Sequence, residues 1–596
     1  LNLRNAPATA ARQRSLALIL VAIGLVVMAC PALFARTIRF ESEAPGVFSL
    51  VAPNGRLTND HEVGGPALAV DTLSAKGEWN HCFKTAAGLF LPGKEYLITF
   101  DLKVNQLGSN ALVIILMRPL GAEGPKFDVL NFIPRNVGEV RRVRLRCRIQ
   151  PDQTNQAFQV HTRFQAQAHL GNLVIQEGPA PKLWGPLTFG GSNIPLYETP
   201  VAHIAHLLGD EGSEVSVELL SPAQKAVVRP LRYGISPTLR GKRLSFKLPK
   251  GPSTLSVEID GNLEQPLFVF SKPAALYRPA PGTQNMITFA AGKVHRPGNI
   301  ILTSGQTLYI EDGAVVMGSV SAKNATNIRI TGGGILDGSE YARHKANMVR
   351  VDGCQGVLIQ GITVLNSPWW TMPLLKSRDI LVDGIKVVSG RENDDGCDIC
   401  GSSNVTIRNS FYRTKDDCIA LKSVGPWING IGNVEDVTVE DCVLWNSVWG
   451  NGVEIGYELT AEVVRNVSFR NLDFIHVEGN AVRDAVMSIH LGDRAMVSNI
   501  LYENIRVEDV EEQLIYLTIA KMDYSKDAER GRIQDVVFRN LSILGPRMPP
   551  IKMFGFDETH LIKNVLLEGL TLNGKPIKTE AEARLTKKFA EGVLIR

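Results

Sequence analysis

NVTIRNSFYRT, Asn404 to Thr414, sets an Asn before an apolar-x-apolar triplet, turns at a polar corner, and resumes with a second short apolar run. The same form returns as NIRITGGGILDG at Asn327, GVLIQGITVLN at Gly356, DILVDGIKVVS at Asp379 and DVTVEDCVLWN at Asp436. It continues as NVSFRNLDFIH at Asn466, NILYENIRVED at Asn499, DVVFRNLSILG at Asp535 and NVLLEGLTLNG at Asn564. Successive starts lie roughly 23 to 36 residues apart, the range in which one repeat is a supersecondary unit that must stack to bury its apolar face. No helix-period segment separates the strands, which excludes βαβ units. Short strands joined by corners and stacked coil on coil describe an all-β fold, a right-handed parallel β-helix.

The repeat also accounts for a misleading signal. Asn324, Asn404, Asn466 and Asn540 all begin Asn-x-Ser/Thr sequons, but three of them arise because strand entry is spelled Asn-apolar-Thr/Ser. They read as coil corners and not as sugar acceptors.

Upstream the rhythm differs. From Ile38 to about Pro181, alternating runs such as YLITFDLKV, VRRVRLRCRI and NLVIQEG are split by turns, as in a β-sandwich. A second small β region follows, with VSVELL, LSFKLP, STLSVEID and PLFVFSKP. Pro and Gly punctuation at Pro279, Pro281 and Gly282 closes it. The expected organisation is a signal segment over 1–36, β-sandwiches over 37–182 and 183–275, and the β-helix over 276–596. GEWNHCFKT around Trp79 gives the first sandwich the look of a carbohydrate-binding jelly roll.

At 596 residues, with 44% hydrophobic and 21% charged side chains, the chain is ordinary globular material divided among domains. A formal charge of +4 from 64 basic and 60 acidic residues gives no footprint for nucleic acid. Arg4, Arg12 and Arg14 precede an uncharged apolar run, Leu16 to Ala29, which reads as an export signal leading to a secreted or periplasmic protein. Val27-Met28-Ala29-Cys30 resembles a lipobox, so a lipid anchor on Cys30 is an alternative to soluble release. Cys397-x-x-Cys400 invites a zinc or redox reading, but no second pair completes a site. Burial as small apolar residues is the expectation for Cys354, Cys418 and Cys442.

The chemistry is expected at two acidic clusters, Asn393-Asp394-Asp395 and Asp416-Asp417, which flank the Asn404 unit. One coil separates them, so Asp395 and Asp416 can stack on one face about 4.8 Å apart. Carboxylates so placed repel unless one keeps a proton, which drives their pKa values apart and equips an acid and a base. Glycoside hydrolysis uses such a set and requires no cofactor or metal.

Four stretches together resemble glycoside hydrolase family 28, the polygalacturonase type. Asn393-Asp394-Asp395-Gly396-Cys397-Asp398 is similar to its Asn-Thr-Asp-Gly-x-Asp, and Lys415-Asp416-Asp417-Cys418-Ile419-Ala420 to its Gln-Asp-Asp-Cys-Val/Ile-Ala. Asn366-Ser367-Pro368-Trp369-Trp370 resembles Asn-Ser-Pro-x-Trp, and Gly450-Asn451-Gly452-Val453-Glu454-Ile455-Gly456 stands where Gly-His-Gly-Leu-Ser-Ile-Gly is expected. The resemblance spans roughly residues 280–575. It implies Asp416 as general acid, Asp395 and Asp417 as holders of the attacking water, and inversion at the anomeric carbon. Arg483 falls where the family's Arg-Ile-Lys begins.

Two departures weigh on the substrate. The motif His is Asn451 and the motif Lys is Ala485, both at the subsite where the family binds a galacturonate. The dextranase and isopullulanase type is also similar, with three Asp, no such His, and a β-sandwich before its β-helix. A neutral glucan is therefore a rival to a pectic polymer.

Asn393, Lys422, Asn451, Glu454, Arg483, Trp449 and Tyr457 are the candidate substrate contacts. Pointing outward, Glu454 would orient a hydroxyl or disfavour an anionic sugar. Two other classes share the fold: a uronate lyase or epimerase drawing on Arg483, Arg494 or Lys521, and a glycan-binding β-helix without chemistry. A lyase would leave an unsaturated sugar; a binder has no physical need for mutually repelling carboxylates.

Overall fold

A computed structural model describes the chain except for residues 1–36, 40–47, 52, 78, 87, 109–110, 120–126, 133–137, 139, 150–153, 179–181, 210–211, 426–427, 448, 479–483 and 512. The export signal, Cys30 and Arg483 therefore lie outside the described residues. No helix among those described is long and apolar enough to cross a membrane.

Strands from Thr37–Arg39 to Ala166–Glu177 form two facing antiparallel sheets of six and five strands around an aliphatic and Phe core. Strands from Trp184–Phe189 to Asn262–Lys272 form a second sandwich of two five-stranded sheets. Its one parallel pairing joins His203–Leu208 to Asn262–Lys272. From Met286–Phe289 to Ala590–Ile595, 31 strands make a continuous, almost wholly parallel sheet that coils on itself. This is the right-handed parallel β-helix, with the hand that strand twist imposes on parallel crossovers.

The repeat corners explain why the sequence is spelled as it is. Asn327, Gly356, Asp379, Asn404, Asp436, Asn466, Asn499, Asp535 and Asn564 all have positive φ, between 52° and 70°. Only Gly, Asn and Asp enter this left-handed region at low cost. Their side chains then ladder from coil to coil: Asn404 donates to Asp379 at 2.7 Å, Asn466 to Asp436 at 2.9 Å and Asn499 to Asn466 at 2.8 Å.

Inside, the residue after each corner stacks in register. Val357, Ile380, Val405, Val437, Val467, Ile500, Val536 and Val565 form one such column. Phe469, Tyr502 and Phe538 stack nearly parallel in another, with ring centroids 4.8 and 4.7 Å apart. Burial of these columns is the main stabilising term, since each coil depends on its neighbours for a dry face.

All seven described cysteines are buried free thiols. Cys397 and Cys400 share the strand Cys397–Cys400, three positions apart, and alternation sends them to opposite faces.

The second sandwich is seated on the β-helix. Ala202, Ile204, Phe268 and Phe270 from the sandwich pack against Leu365, Val388, Phe411, Trp445 and Ile475 from the coils. Trp445 is thus a core residue of the seam. Charged groups border this apolar patch: Arg229 bridges Glu258 and Glu508, Arg232 meets Asp473 at 2.5 Å, and His476 lies 2.9 Å from both Glu258 and Asp509.

Candidate active site

Two neighbouring coils bring the acidic clusters together. Strand Cys397–Cys400 pairs in parallel with Ile419–Ser423, setting Cys397 opposite Ile419 and Asp398 opposite Ala420. The turns leading into these strands carry Asp395 and Asp416-Asp417, and carboxylate oxygens of all three lie within 4.8 Å of one another. That spacing suits a divalent cation, but a cation of the chain is already present. Lys422 Nζ, nearly buried, lies 2.7 Å from Asp395, 3.2 Å from Asp398 and 3.7 Å from Asp417. It also sits over the Trp370 ring, 4.2 Å from the centroid.

Burial alone would strip Lys422 of its proton, yet Asp395, Asp398, Asp417 and Glu458 around it hold the ammonium charged well above the usual lysine range. The acids respond in the opposite sense. Burial, reinforced by Asp395 and Asp417, pushes Asp416 well above the usual carboxyl range. Asp395 is raised by burial and by Asp398 and Asp417 against the pull of Lys422, and Asp398 goes up to about 7, mainly through burial. One ammonium thus faces more carboxyl groups than it can neutralise. Protons remain in the cluster at pH values where an exposed carboxylate has none.

The members differ in what holds them. Asp417 accepts from Asn451 twice, from the backbone N at 2.7 Å and from Nδ2 at 2.9 Å. Asn451 Oδ1 in turn accepts from the Ala485 N at 2.8 Å. Asp416 is less buried; it caps the Asp417 N at 3.0 Å and receives Asn393 Nδ2 at 3.4 Å. Asp395 Oδ1 is buried with no hydrogen-bonding partner among the described residues. Asp394 accepts from the backbone N of Arg391, Lys415 and Asp416, tying the two turns together.

Of the candidate substrate contacts, three are better described as scaffolding. Asn451 is fully buried and serves Asp417. Glu454 is fully buried, accepting from Ser488 Oγ and meeting His490 Nδ1 at 2.9 Å, so it does not point outward as a hydroxyl ligand. Lys422 is the hub of the acid cluster. Asn393 is half-buried and joins Asp416 to Arg343 at 3.1 Å and His344 at 3.2 Å. Trp449 and Tyr457 are half-buried; Trp449 is fixed by its backbone, donating to the Lys415 carbonyl at 2.9 Å. Arg494 is engaged with Asp527 by two bonds of 2.8 Å, away from the trio's own hydrogen bonds.

Residues given no role by the pattern include Asp394, Asp398 and Arg343. Asp398 had a usable signal: it lies two positions from Cys400, whose register partner is Lys422, so both face the same outer surface. Asp394 had none, since nothing in Asn-Asp-Asp distinguishes the acid that braces the turn from the acid that faces the cleft.

Residues 272–545 match the family model described as glycosyl hydrolases family 28. The matched stretch takes in most of the β-helix, both acidic clusters included. A polygalacturonase of Cryptomeria japonica is 26% identical over 209 residues, covering 33% of this chain and 37% of that protein. An exopolygalacturonase of Zea mays is 27% identical over 273 residues, covering 41% and 60% respectively. The chain therefore spans roughly two to three fifths of the length of these relatives. Among solved structures, a hyperthermoactive exopolygalacturonase from Thermotoga maritima aligns with a TM-score of 0.40 at 18% identity over 52% of this chain and 84% of its own. The matched stretch carries the four sequence motifs on four successive coils, at the strands Pro373–Leu375, Cys397–Cys400, Ile419–Ser423 and Val453–Leu459, which pair in that order.

Proposed function

We propose that this protein is an exported glycoside hydrolase that cleaves O-glycosidic bonds within a polysaccharide. The observation that carries the reading is the trio Asp395, Asp416 and Asp417, whose oxygens converge within 4.8 Å around a single ammonium. Asp416, the least enclosed of the three and raised by burial together with Asp395 and Asp417, is the group that still holds a proton to give to the leaving oxygen. Asp395, with Oδ1 unpartnered, and Asp417, fixed by Asn451, hold the attacking water and take its proton. Lys422 keeps the pair from repelling each other apart and carries charge through the reaction.

The trio is tighter than the separation of about 6.5–9.5 Å usual between inverting carboxyl groups. Inversion is supported by the family likeness, and the anomer first released, read by proton NMR, tests it. Export is supported by the Arg-flanked apolar run Leu16 to Ala29, with release or retention through Cys30 decided by membrane fractionation. The relatives' names make a galacturonate polymer the first substrate to try.

The test is release of reducing ends from uronic polymers and neutral glucans side by side, by the full chain and by Asp416→Asn. Cleavage reduced by about 10³-fold or more in the variant, with unfolding unchanged, is the expected result. An unsaturated product absorbing in the ultraviolet would replace the hydrolase by a lyase.

A further inference from the structure

The strand Val453–Leu459 leaves strict pairing beside the acid trio. Ala420 pairs with Glu454 and Leu421 with Ile455, but the next match is Ser423 with Leu459. Gly456, Tyr457 and Glu458 therefore stand opposite Lys422 alone, a bulge that re-aims side chains out of the alternation. On its other edge the strand stays in step, with Gly456 opposite His490 and Tyr457 opposite Leu491. Gly456 is required there: its φ is 138°, and a β carbon would lie 2.2 Å from the His490 carbonyl oxygen. The bulge is anchored by Gly492 N donating to the Tyr457 carbonyl at 3.1 Å and Leu459 N to Asp493 at 3.0 Å.

What the bulge presents is an aromatic ring and a carboxyl group. Tyr457 lies flat on His490, with centroids 4.5 Å apart and planes 3° from parallel. His490, itself buried, is held through Nδ1 by Glu454, which Ser488 also holds. The ring is thus braced from below by a buried chain of polar groups. The exposed Tyr524 stands 5.7 Å from it on the outer side. Glu458 is half-buried and close enough to Lys422 to feel its charge, while burial raises its pKa. Among the described residues the acids Glu454, Glu458 and Asp493 gather here, and the adjoining ammonium of Lys422 is already shared by Asp395, Asp398 and Asp417.

We propose that residues 456–458 form a sugar subsite next to the acid trio that takes an uncharged residue of the polysaccharide, Tyr457 as its platform and Glu458 as partner for its hydroxyls. The inference rests on the hydrolase reading and narrows its substrate. A uronate carboxylate placed here meets the Glu458 carboxylate, and the Lys422 ammonium beside it is already shared by Asp395, Asp398 and Asp417, so like charges are set against each other. A neutral sugar gives its face to Tyr457 and its hydroxyl protons to Glu458. A polymer in which uronate and neutral sugars alternate, or one whose carboxyl groups are esterified, fits this arrangement better than a free polyuronate.

The test compares polygalacturonate with the same polymer after methyl esterification and after carboxyl reduction, so that linkage is constant and only charge changes. kcat/KM is measured for the wild type, Glu458→Gln and Glu458→Lys, and binding of the same polymers is measured by calorimetry on Asp416→Asn proteins carrying each change. The wild type is expected to prefer the neutralised polymers by about tenfold or more, Glu458→Gln to narrow that preference, and Glu458→Lys to reverse it. Preference of the wild type for the free acid, or a ratio that neither substitution moves, overturns the proposal. If no polymer is cleaved, the hydrolase reading fails separately. The subsite is then upheld by tighter binding of neutral polymer that Glu458→Lys inverts, and overturned by equal or reversed binding.

Discussion

Two buried charge networks sit on the outer faces of the same β-helix, and they differ in balance. At the seam with the second sandwich, Glu258 and Glu508 share Arg229, Asp473 holds Arg232 and Arg506, and Asp509 meets His476. These four acids meet four cations, and each has at least one within bonding distance. At the acid trio, Asp395, Asp398 and Asp417 converge on Lys422 alone, and Asp416 has no cation among its hydrogen bonds. A balanced network fixes two bodies together with its protons settled. An unbalanced one leaves protons in dispute, and that is what acid and base catalysis needs. Burial and acidic composition are common to both, so neither marks function by itself.

The comparison breaks first at Lys422. Lys422→Met removes the one cation from three buried carboxyl groups, and a loss of about 3–5 kcal/mol in urea unfolding is expected, together with loss of turnover. Adding Asp398→Asn should return part of the stability, because one unpaired charge is removed with it. Stability unchanged by Lys422→Met would mean that the acids take up protons freely enough to make the ammonium dispensable.

His476 is the corresponding probe of the seam, and its effect has a pH signature. Burial disfavours the imidazolium, but Glu258 and Asp509 outweigh it and push His476 up to about 9. Its folded value is above that of the unfolded chain, so its contribution is complete below about pH 6.5 and is lost as pH rises through 9. Buried Lys386, pulled down to about 7 chiefly by desolvation, acts in the opposite sense: its cost to stability is complete below that pH and fades as pH rises from there to the unfolded lysine value of about 10.4. The informative quantity is thus the difference between wild type and His476→Gln. That difference should be about 3 kcal/mol near pH 6 and shrink towards pH 9.5, with hydrolysis little affected at either end. A difference constant with pH would show that the seam is held by its apolar patch of Phe268, Phe411 and Trp445 alone.

The two networks were also unequally legible. The β-helix announces itself because a left-handed corner admits only Asn, Asp or Gly, so geometry writes itself into every repeat from Asn327 to Asn564. The trio follows from that register, since one coil of separation is enough to place Asp395 over Asp416. Lys422 gives less away: within Ile-Ala-Leu-Lys-Ser nothing says that its three acidic partners come from the preceding coil and from its own turn. Glu454 and Glu458 show where alternation fails. A straight strand would show both to the cleft, but packing under Tyr457 buries Glu454 while the bulge aims Glu458 at Lys422. The seam is the least legible, because His476 and Glu258 are 218 residues apart and belong to different domains.

The smallest effect should come where neither charge nor burial operates, on the corner ladder. Asn466 is exposed, has φ 58°, donates to Asp436 at 2.9 Å and accepts from Asn499 at 2.8 Å. Asn466→Ala loses both bonds and forces a β carbon into the left-handed region, a cost of about 1–2 kcal/mol. Asn466→Gly loses the same bonds but keeps the backbone at ease, so its cost should fall below about 1 kcal/mol even though the unfolded chain gains freedom. Neither change reaches the acid trio, and turnover should remain that of the wild type. If Ala and Gly cost the same, the side-chain ladder and not the backbone corner is what the repeat preserves. The reason for Asn over Gly would then lie in coil-to-coil hydrogen bonding, the uncharged counterpart of what Arg229 and His476 do at the seam.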